Sequence, residues 1–196
     1  MTNHSKVSLR SDMRAAARRI PAAERARASQ QLGARLLQLP LWEAAQSVLL
    51  YLPFPSEPDI RPLFGAAWET GKATLLLRFQ PASQELEPCQ IHNLHDDLNA
   101  EGPFGLAEPA SHCPLWPANQ LDLLLVPGVA FSMSGRRLGR GRGYYDRFLR
   151  RATGVALGLA FDWQVATDIP TEPHDMGVHC ILTPTRWQEV TDRRPS

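Results

Sequence analysis

Cysteine is scarce and unpatterned. Cys89, Cys113 and Cys180 are odd in number, far apart and free of any CxxC spacing. That argues against a disulfide framework and a zinc site, and it fits a reduced, cytoplasmic setting. Long apolar runs are missing too: the longest, LDLLLVPGVAF, is interrupted by Pro127 and Gly128 and is too short to span a bilayer. The first twenty residues lack the apolar core of an export signal, although their Arg- and Ala-rich, acid-poor character has something of a transit peptide. Net charge is nearly absent, +1 over 196 residues, so no global field draws the chain to nucleic acid or to an anionic membrane. No internal repeat or interdomain linker is visible.

What is present is a globular composition, 43% hydrophobic against 21% charged, long enough to bury a proper core. One domain over residues 1–196, a monomer, is expected. Residues 6–20 favour helix, and a second helix runs from Pro21 to a stop at Pro40. Strands are predicted at 47–52, 73–79, around 86–92, and at 121–126, 155–161 and 179–183. Helices are predicted at 59–72 and 144–153, and long loops over much of 80–119. Alternating helices and continuous apolar strands predict an α/β three-layer sandwich, a mainly parallel sheet flanked by helices on both faces. Ligands of such sheets sit beyond the strands' carboxyl ends, where the segment after Val126 emerges.

That segment contains GRRLGRGRGYYD, with four glycines and four arginines in its first nine positions. Strand, glycine-rich loop, helix is a way to present backbone N–H groups and a helix N-terminus to phosphate. Gly139, Gly141 and Gly143 permit close approach, and Arg137, Arg140 and Arg142 add forked donors. No G-K-[ST] follows, and tyrosines stand where the dinucleotide fingerprint needs glycine. A solvated connector and an RNA contact with stacking tyrosines stay open as alternatives.

Other residues carry similar ambiguity. Asp146, in the first turn of its helix, is explained either by the helix dipole and a pair with Arg150, or as a Mg²⁺ ligand. Asp175 in EPHDMG is a turn residue or a second ligand. His174 has no second histidine at metal spacing. Lys6 and Arg10 share a helix face near its positive end, either as an exposed charged face or toward an anion. Glu57, in a proline-rich loop after the first strand, is a turn acid or an acceptor for the paired N–H donors of a heterocycle.

Taken together, these elements resemble the 5-formyltetrahydrofolate cyclo-ligase family. RLGRGRGYYDRFL (137–149) matches that family's R-L-G-x-G-x-G-[YF]-Y-D-x-x-L at every fixed position. KVSLR, Glu57, FGLAEP (104–109), PGVAF, Gln164 and PTEPHD with a following ILT match in family order, from residue 6 to about 185. The resemblance implies ATP- and Mg²⁺-dependent conversion of 5-formyltetrahydrofolate to 5,10-methenyltetrahydrofolate, with release of ADP and phosphate. It assigns Lys6, Arg10, Arg137, Leu138, Gly139, Arg140, Gly141, Arg142, Gly143, Tyr144 and Tyr145 to ATP. It assigns Arg10, Leu52, Glu57, Arg140, Gly141, Arg142, Gly143 and Tyr144 to folate, Arg142 and Tyr144 to catalysis, and Asp146 and Asp175 to Mg²⁺. Ser132, Ile60 and His179 depart from the family's usual residues. An inactive folate-binding homologue and an RNA-binding module are the competing readings.

The residue types suit that chemistry. A formyl group on nitrogen is a poor electrophile, and ring closure would have to expel oxide. Phosphorylating the formyl oxygen creates a leaving group, and phosphoryl transfer needs positioning and neutralisation more than a protein nucleophile. No Ser-His-Asp or Cys-His arrangement is apparent, consistent with that demand.

Overall fold

A computed structural model describes residues 5–100, 102 and 105–190. Phe104 of the FGLAEP segment lies outside the described residues. Helix α1 (Lys6–Arg19) begins where the Ser5 hydroxyl accepts the Ser8 N–H at 3.1 Å, and it ends at Ile20 before Pro21. α2 (Ala22–Leu37) follows. Pro40 does not simply end α2; it opens the short α3 (Pro40–Ala44), because a first-turn proline gives up an N–H that has no partner there anyway.

The chain continues through β1 (Ser47–Leu49), α4 (Pro62–Glu69), β2 (Ala73–Gln80) and β3 (Glu85–Gln90). A two-residue pair, β4 (Leu98–Asn99) with β5 (Glu108–Pro109), interrupts the predicted loops. Then come β6 (Leu123–Val126), a small hairpin of β7 (Ala130–Phe131) with β8 (Arg137–Leu138), α5 (Tyr144–Arg151), β9 (Val155–Leu159), β10 (Cys180–Leu182) and β11 (Trp187–Glu189). Strands of two or three residues carry no readable alternation, so β4, β5, β7, β8 and β11 escaped the sequence pattern.

Seven strands form one sheet in the order β11-β10-β9-β6-β1-β2-β3. The inner pairings β2–β1, β1–β6, β6–β9 and β9–β10 are parallel, and the two edge pairings are antiparallel. Every residue of β1, β6 and β10 is buried, as covered parallel strands require. Val48, Leu123, Leu125, Leu157 and Leu182 face Leu32 and Leu36 of α2, Trp42 of α3 and Phe64 of α4. Leu49, Leu124, Val126, Ala156 and Ile181 face Phe148 and Leu149 of α5. Burying two such side chains contributes about 1.5–3 kcal/mol each. Helices therefore cover both faces, as expected for the three-layer sandwich.

The chain leaves β1 toward β2 and β3, then returns to the other side of β1 as β6 and moves on to β9 and β10. β1 and β6 are thus the strands between which the order reverses. A crevice opens there beyond their carboxyl ends. α1 lies against the β7–β8 hairpin through Leu9, Ala130 and Leu138, which carries Lys6 and Arg10 to the same end of the sheet. No helix among the described residues is long and apolar enough to cross a membrane.

Candidate active site

The crevice is a cavity of about 610 Å³. All fifteen residues to which the family resemblance assigns a ligand or catalytic role line it: Lys6, Arg10, Leu52, Glu57, Arg137 to Asp146 without a break, and Asp175. Ser132, Ile60 and His179 do not line it. Sequence reasoning gave no role to Tyr51, Phe54 and Phe79, nor to Leu106–Glu108 and Glu172 within the matched FGLAEP and PTEPHD segments, and all of these also line the cavity. Leu50 N–H still donates to Leu75 O of β2 at 2.9 Å, and Tyr51 and Leu52 lie beyond that last bond on the way to Pro53.

The glycine-rich segment is more ordered than a loop. Arg137 and Leu138 pair with Phe131 and Ala130, and only residues 139–143 span from the hairpin to α5. Gly141 has φ +102° and Gly143 has φ +66°, regions that L side chains rarely adopt. A Cβ on Gly141 would also stand 3.5 Å from the Arg10 guanidinium carbon. Gly143 sits at the N-cap of α5 and offers no side chain to cap it. The start of α5 lines the cavity, so the positive end of its helix dipole faces the space where an anion is favoured.

Charges at the site are paired across long stretches of sequence. Lys6 Nζ lies 2.6 Å from Asp175 Oδ2 and 3.4 Å from Glu172 Oε1. Arg10 Nε donates to Gly139 O at 2.8 Å, tying α1 to the loop. Arg137 is not a solvated loop cation: its side chain is 2% exposed, and Nη2 donates to Asp146 Oδ1 at 2.7 Å. The expected Asp146–Arg150 pair does not form. Arg150 Nη2 instead donates to His174 O at 2.7 Å. Asp146 Oδ1 also accepts the Met176 N–H at 3.0 Å, which places the 172–176 turn beside the start of α5. Arg142 is exposed, and Tyr144 lies edge-on to Phe79 with ring centroids 5.2 Å apart.

A second group lies on the β1 side. Arg140 grips Glu57 Oε1 through Nε at 3.2 Å and Nη2 at 2.7 Å, and its guanidinium sits 3.8 Å from the centre of the Phe54 ring. Glu57 Oε2 accepts the Phe54 N–H at 3.0 Å. Burial pushes the Glu57 carboxyl above its ordinary range, with Arg140 and the Phe54 N–H pulling it back. Burial raises the Tyr51 and Tyr145 phenols, and Glu57 raises both further, so both remain neutral donors. Among the described residues the buried Tyr51 hydroxyl has no hydrogen-bond partner.

This arrangement suits two kinds of ligand. Arg10, the loop amides and the α5 N-terminus suit a polyanion. Glu57, Phe54 and the tyrosines suit a flat heterocycle with N–H donors. Asp146 and Asp175 fit Mg²⁺, which takes one or two carboxylates and completes its shell with water and phosphate oxygens. Hydrogen bonds within the protein use one oxygen of each: Oδ1 of Asp146, and Oδ2 of Asp175, which accepts from Lys6 and from the Glu172 N–H.

The chain is similar to known proteins over nearly its full length. It is 35% identical over 194 residues to the 5-formyltetrahydrofolate cyclo-ligase of Mycolicibacterium smegmatis, covering 95% of this chain and 97% of that one. The mouse 5-formyltetrahydrofolate cyclo-ligase is 26% identical over 195 residues, covering 92% of this chain and 94% of that one. The NMR structure of Aquifex aeolicus 5,10-methenyltetrahydrofolate synthetase superposes with a TM-score of 0.85 at 31% identity, over 97% of this chain and 95% of that one. The model of the 5-formyltetrahydrofolate cyclo-ligase family matches residues 2–184, a span that contains every residue lining the crevice, and the chain belongs to that family of enzymes.

Proposed function

We propose that this chain converts 5-formyltetrahydrofolate to 5,10-methenyltetrahydrofolate, consuming ATP and requiring Mg²⁺, and that its partners are these small molecules. The observation that carries the reading is the convergence on one cavity between β1 and β6 of all fifteen residues to which the family resemblance assigns a ligand or catalytic role.

In this reading Lys6, Arg10 and residues 137–145 hold the nucleotide, with the amides of 139–143 and the start of α5 facing its phosphates. Leu52, Glu57 and Arg140 hold the folate, the Glu57 carboxylate accepting from the N–H edge of its heterocycle. Asp146 and Asp175 hold Mg²⁺, which supplies charge neutralisation on the phosphates when bound. Arg142 and Tyr144 lie nearest the group being transferred. The γ-phosphoryl passes to the formyl oxygen, the neighbouring folate nitrogen attacks the activated carbon, and phosphate leaves. Removing one well-placed donor to the developing charge costs roughly 3 kcal/mol of barrier, about a hundredfold in rate.

The test is appearance of the methenyl product by absorbance when the protein meets 5-formyltetrahydrofolate and MgATP. A well-folded protein that makes no product and binds neither ligand sinks the proposal. Tight folate binding without turnover reduces it to the inactive homologue.

A further inference from the structure

Away from the cavity, at the base of the β4–β5 pair, three donors of different kinds converge. Asp97 immediately precedes β4, and His112 and Cys113 follow β5. The backbone closes this base, with Ala110 N–H donating to Asp97 O at 2.8 Å and Cys113 N–H to Ala110 O at 3.0 Å. A carboxylate oxygen of Asp97, a ring nitrogen of His112 and Sγ of Cys113 lie within 4.8 Å of one another. Among the described residues, no other three His, Cys, Asp or Glu side chains bring donor atoms that close together.

The donors are already oriented. Asp97 Oδ2 accepts the His92 N–H at 2.6 Å and the Asn93 N–H at 3.1 Å, which leaves Oδ1 facing His112 Nε2 at 3.0 Å. Cys113 is buried, with Sγ directed at Asp97 O at 3.4 Å. Arg78 Nη1 holds Ala110 O at 2.7 Å and fixes the turn that carries His112 and Cys113. The His112 side chain is 61% exposed and gives access from solvent.

We propose that Asp97, His112 and Cys113 bind one Zn²⁺ ion, with water in the fourth position. A thiolate, an imidazole and a carboxylate form the borderline-soft set that Zn²⁺ favours and Mg²⁺ does not. Zinc bond lengths place tetrahedral ligands roughly 3.3–3.7 Å apart, so donor atoms that lie within 4.8 Å of one another adjust by up to about 1 Å on binding. On binding, the Cys113 S–H bond gives way to a sulfur–zinc bond and its proton leaves to solvent. The proton between His112 Nε2 and Asp97 Oδ1 passes to Nδ1, or to solvent from a protonated ring, freeing Nε2 as a ligand. No electron transfer is involved. The ion joins the two outer ends of the β4–β5 hairpin, which supplies Leu106, Ala107 and Glu108 to the cavity wall. Zinc there braces that wall without entering the cavity.

The experiment uses the full chain, stripped with a chelator and kept reduced, and titrates it with Co²⁺ in excess Mg²⁺. A thiolate-to-cobalt charge-transfer band is expected that saturates at one equivalent and is bleached stoichiometrically by Zn²⁺. Cys113→Ser abolishes the band. His112→Gln, at an exposed side chain, weakens Co²⁺ binding at least tenfold. Zn²⁺ raises the melting temperature of the unsubstituted protein and not that of His112→Gln. No band, a band that survives Cys113→Ser, or binding indifferent to His112→Gln overturns the site and leaves a plain Asp97–His112 ion pair. If Cys113→Ser does not fold, His112→Gln decides alone.

Discussion

Lys6 Nζ lies 2.6 Å from Asp175 Oδ2, although 169 residues separate them, and both line the cavity. In the proposed function one binds nucleotide and the other binds metal. The pair offsets one charge with the other in the ligand-free site, and in that reading its members exchange partners when MgATP enters. Replacing Lys6 by Met is expected to raise the KM for ATP by tenfold to a hundredfold, the scale of a lost charge-assisted hydrogen bond, roughly 1.5–3 kcal/mol. The KM for folate stays nearly unchanged. Initial rates with each substrate varied separately check this.

Asp146→Asn is expected to raise the Mg²⁺ needed for half-maximal activity by tenfold or more. It also costs stability, because the Asp146 carboxylate neutralises Arg137, whose side chain is 2% exposed. An amide keeps an acceptor but loses the charge, at a cost of about 1–3 kcal/mol. Metal titration and urea unfolding of the same variant separate the two effects. Unchanged metal dependence with lowered stability would return Asp146 to a structural role.

Glu57 has its proton affinity raised in the fold, by burial first. The folded state therefore holds the proton more tightly than the unfolded chain. This contribution to stability is present at acid pH and is lost as pH rises from the ordinary carboxylate range through the higher folded value. Glu57→Gln removes the titration, so the stability difference between unsubstituted protein and variant must move in the variant's favour with rising pH. Urea melts from acid to neutral pH measure it. A difference that moves the other way means that Arg140 outweighs burial.

Gly141→Ala is expected to be worse than Gly143→Ala. At φ +102° Gly141 lies further from the left-handed minimum than Gly143 at +66°, so the new side chain is more strained, and its carbon comes into ordinary contact with the Arg10 guanidinium, which ties α1 to the loop. At Gly143 the added carbon meets only the tip of Arg147, at 3.3 Å. Both pay about 1–2 kcal/mol for the left-handed backbone. Gly141→Ala should lose roughly a hundredfold more in kcat/KM, on the scale of one misplaced transition-state donor. Equal losses in the two variants refute the greater backbone strain at Gly141.

Tyr51→Phe separates binding from folding. The Tyr51 hydroxyl is buried without a partner, an arrangement that costs a folded protein about 1–3 kcal/mol. The variant is expected to be at least as stable as the unsubstituted protein and to bind folate more weakly. Thermal melts and folate titrations give the two readouts. A clear loss of stability contradicts the unpartnered hydroxyl.

The sheet and the signature were legible because each is local. LDLLLV is an unbroken apolar run, and RLGRGRGYYD carries its pattern in consecutive residues. What was not legible depends on the fold closing. Spacing suggested that Asp146 pairs with Arg150, yet Arg137 reaches it because β8 pairs with β7 and brings its side chain beneath α5. Arg140 meets Glu57 across 83 residues, and nothing in either segment announces the other. Tyr51 sits inside SVLLYL, where a tyrosine reads as one more strand residue, and the chain's departure from β2 after the Leu50 N–H is a tertiary event. The donors at Asp97, His112 and Cys113 show no metal-ligand spacing, because the β4–β5 pairing brings them together.

The Lys6–Asp175 contact also sets a clock on synthesis. A ribosome delivers residue 6 first, and the partner that completes the site only 169 positions later. β10, which pairs directly with β9, follows Asp175 and emerges later still. A nascent chain can form β1, β2 and β3 early, but it cannot hold the complete ligand pattern until nearly all of the sheet is available. In the proposed function, nucleotide and folate therefore act on the finished molecule, and neither serves as a template for its early folding.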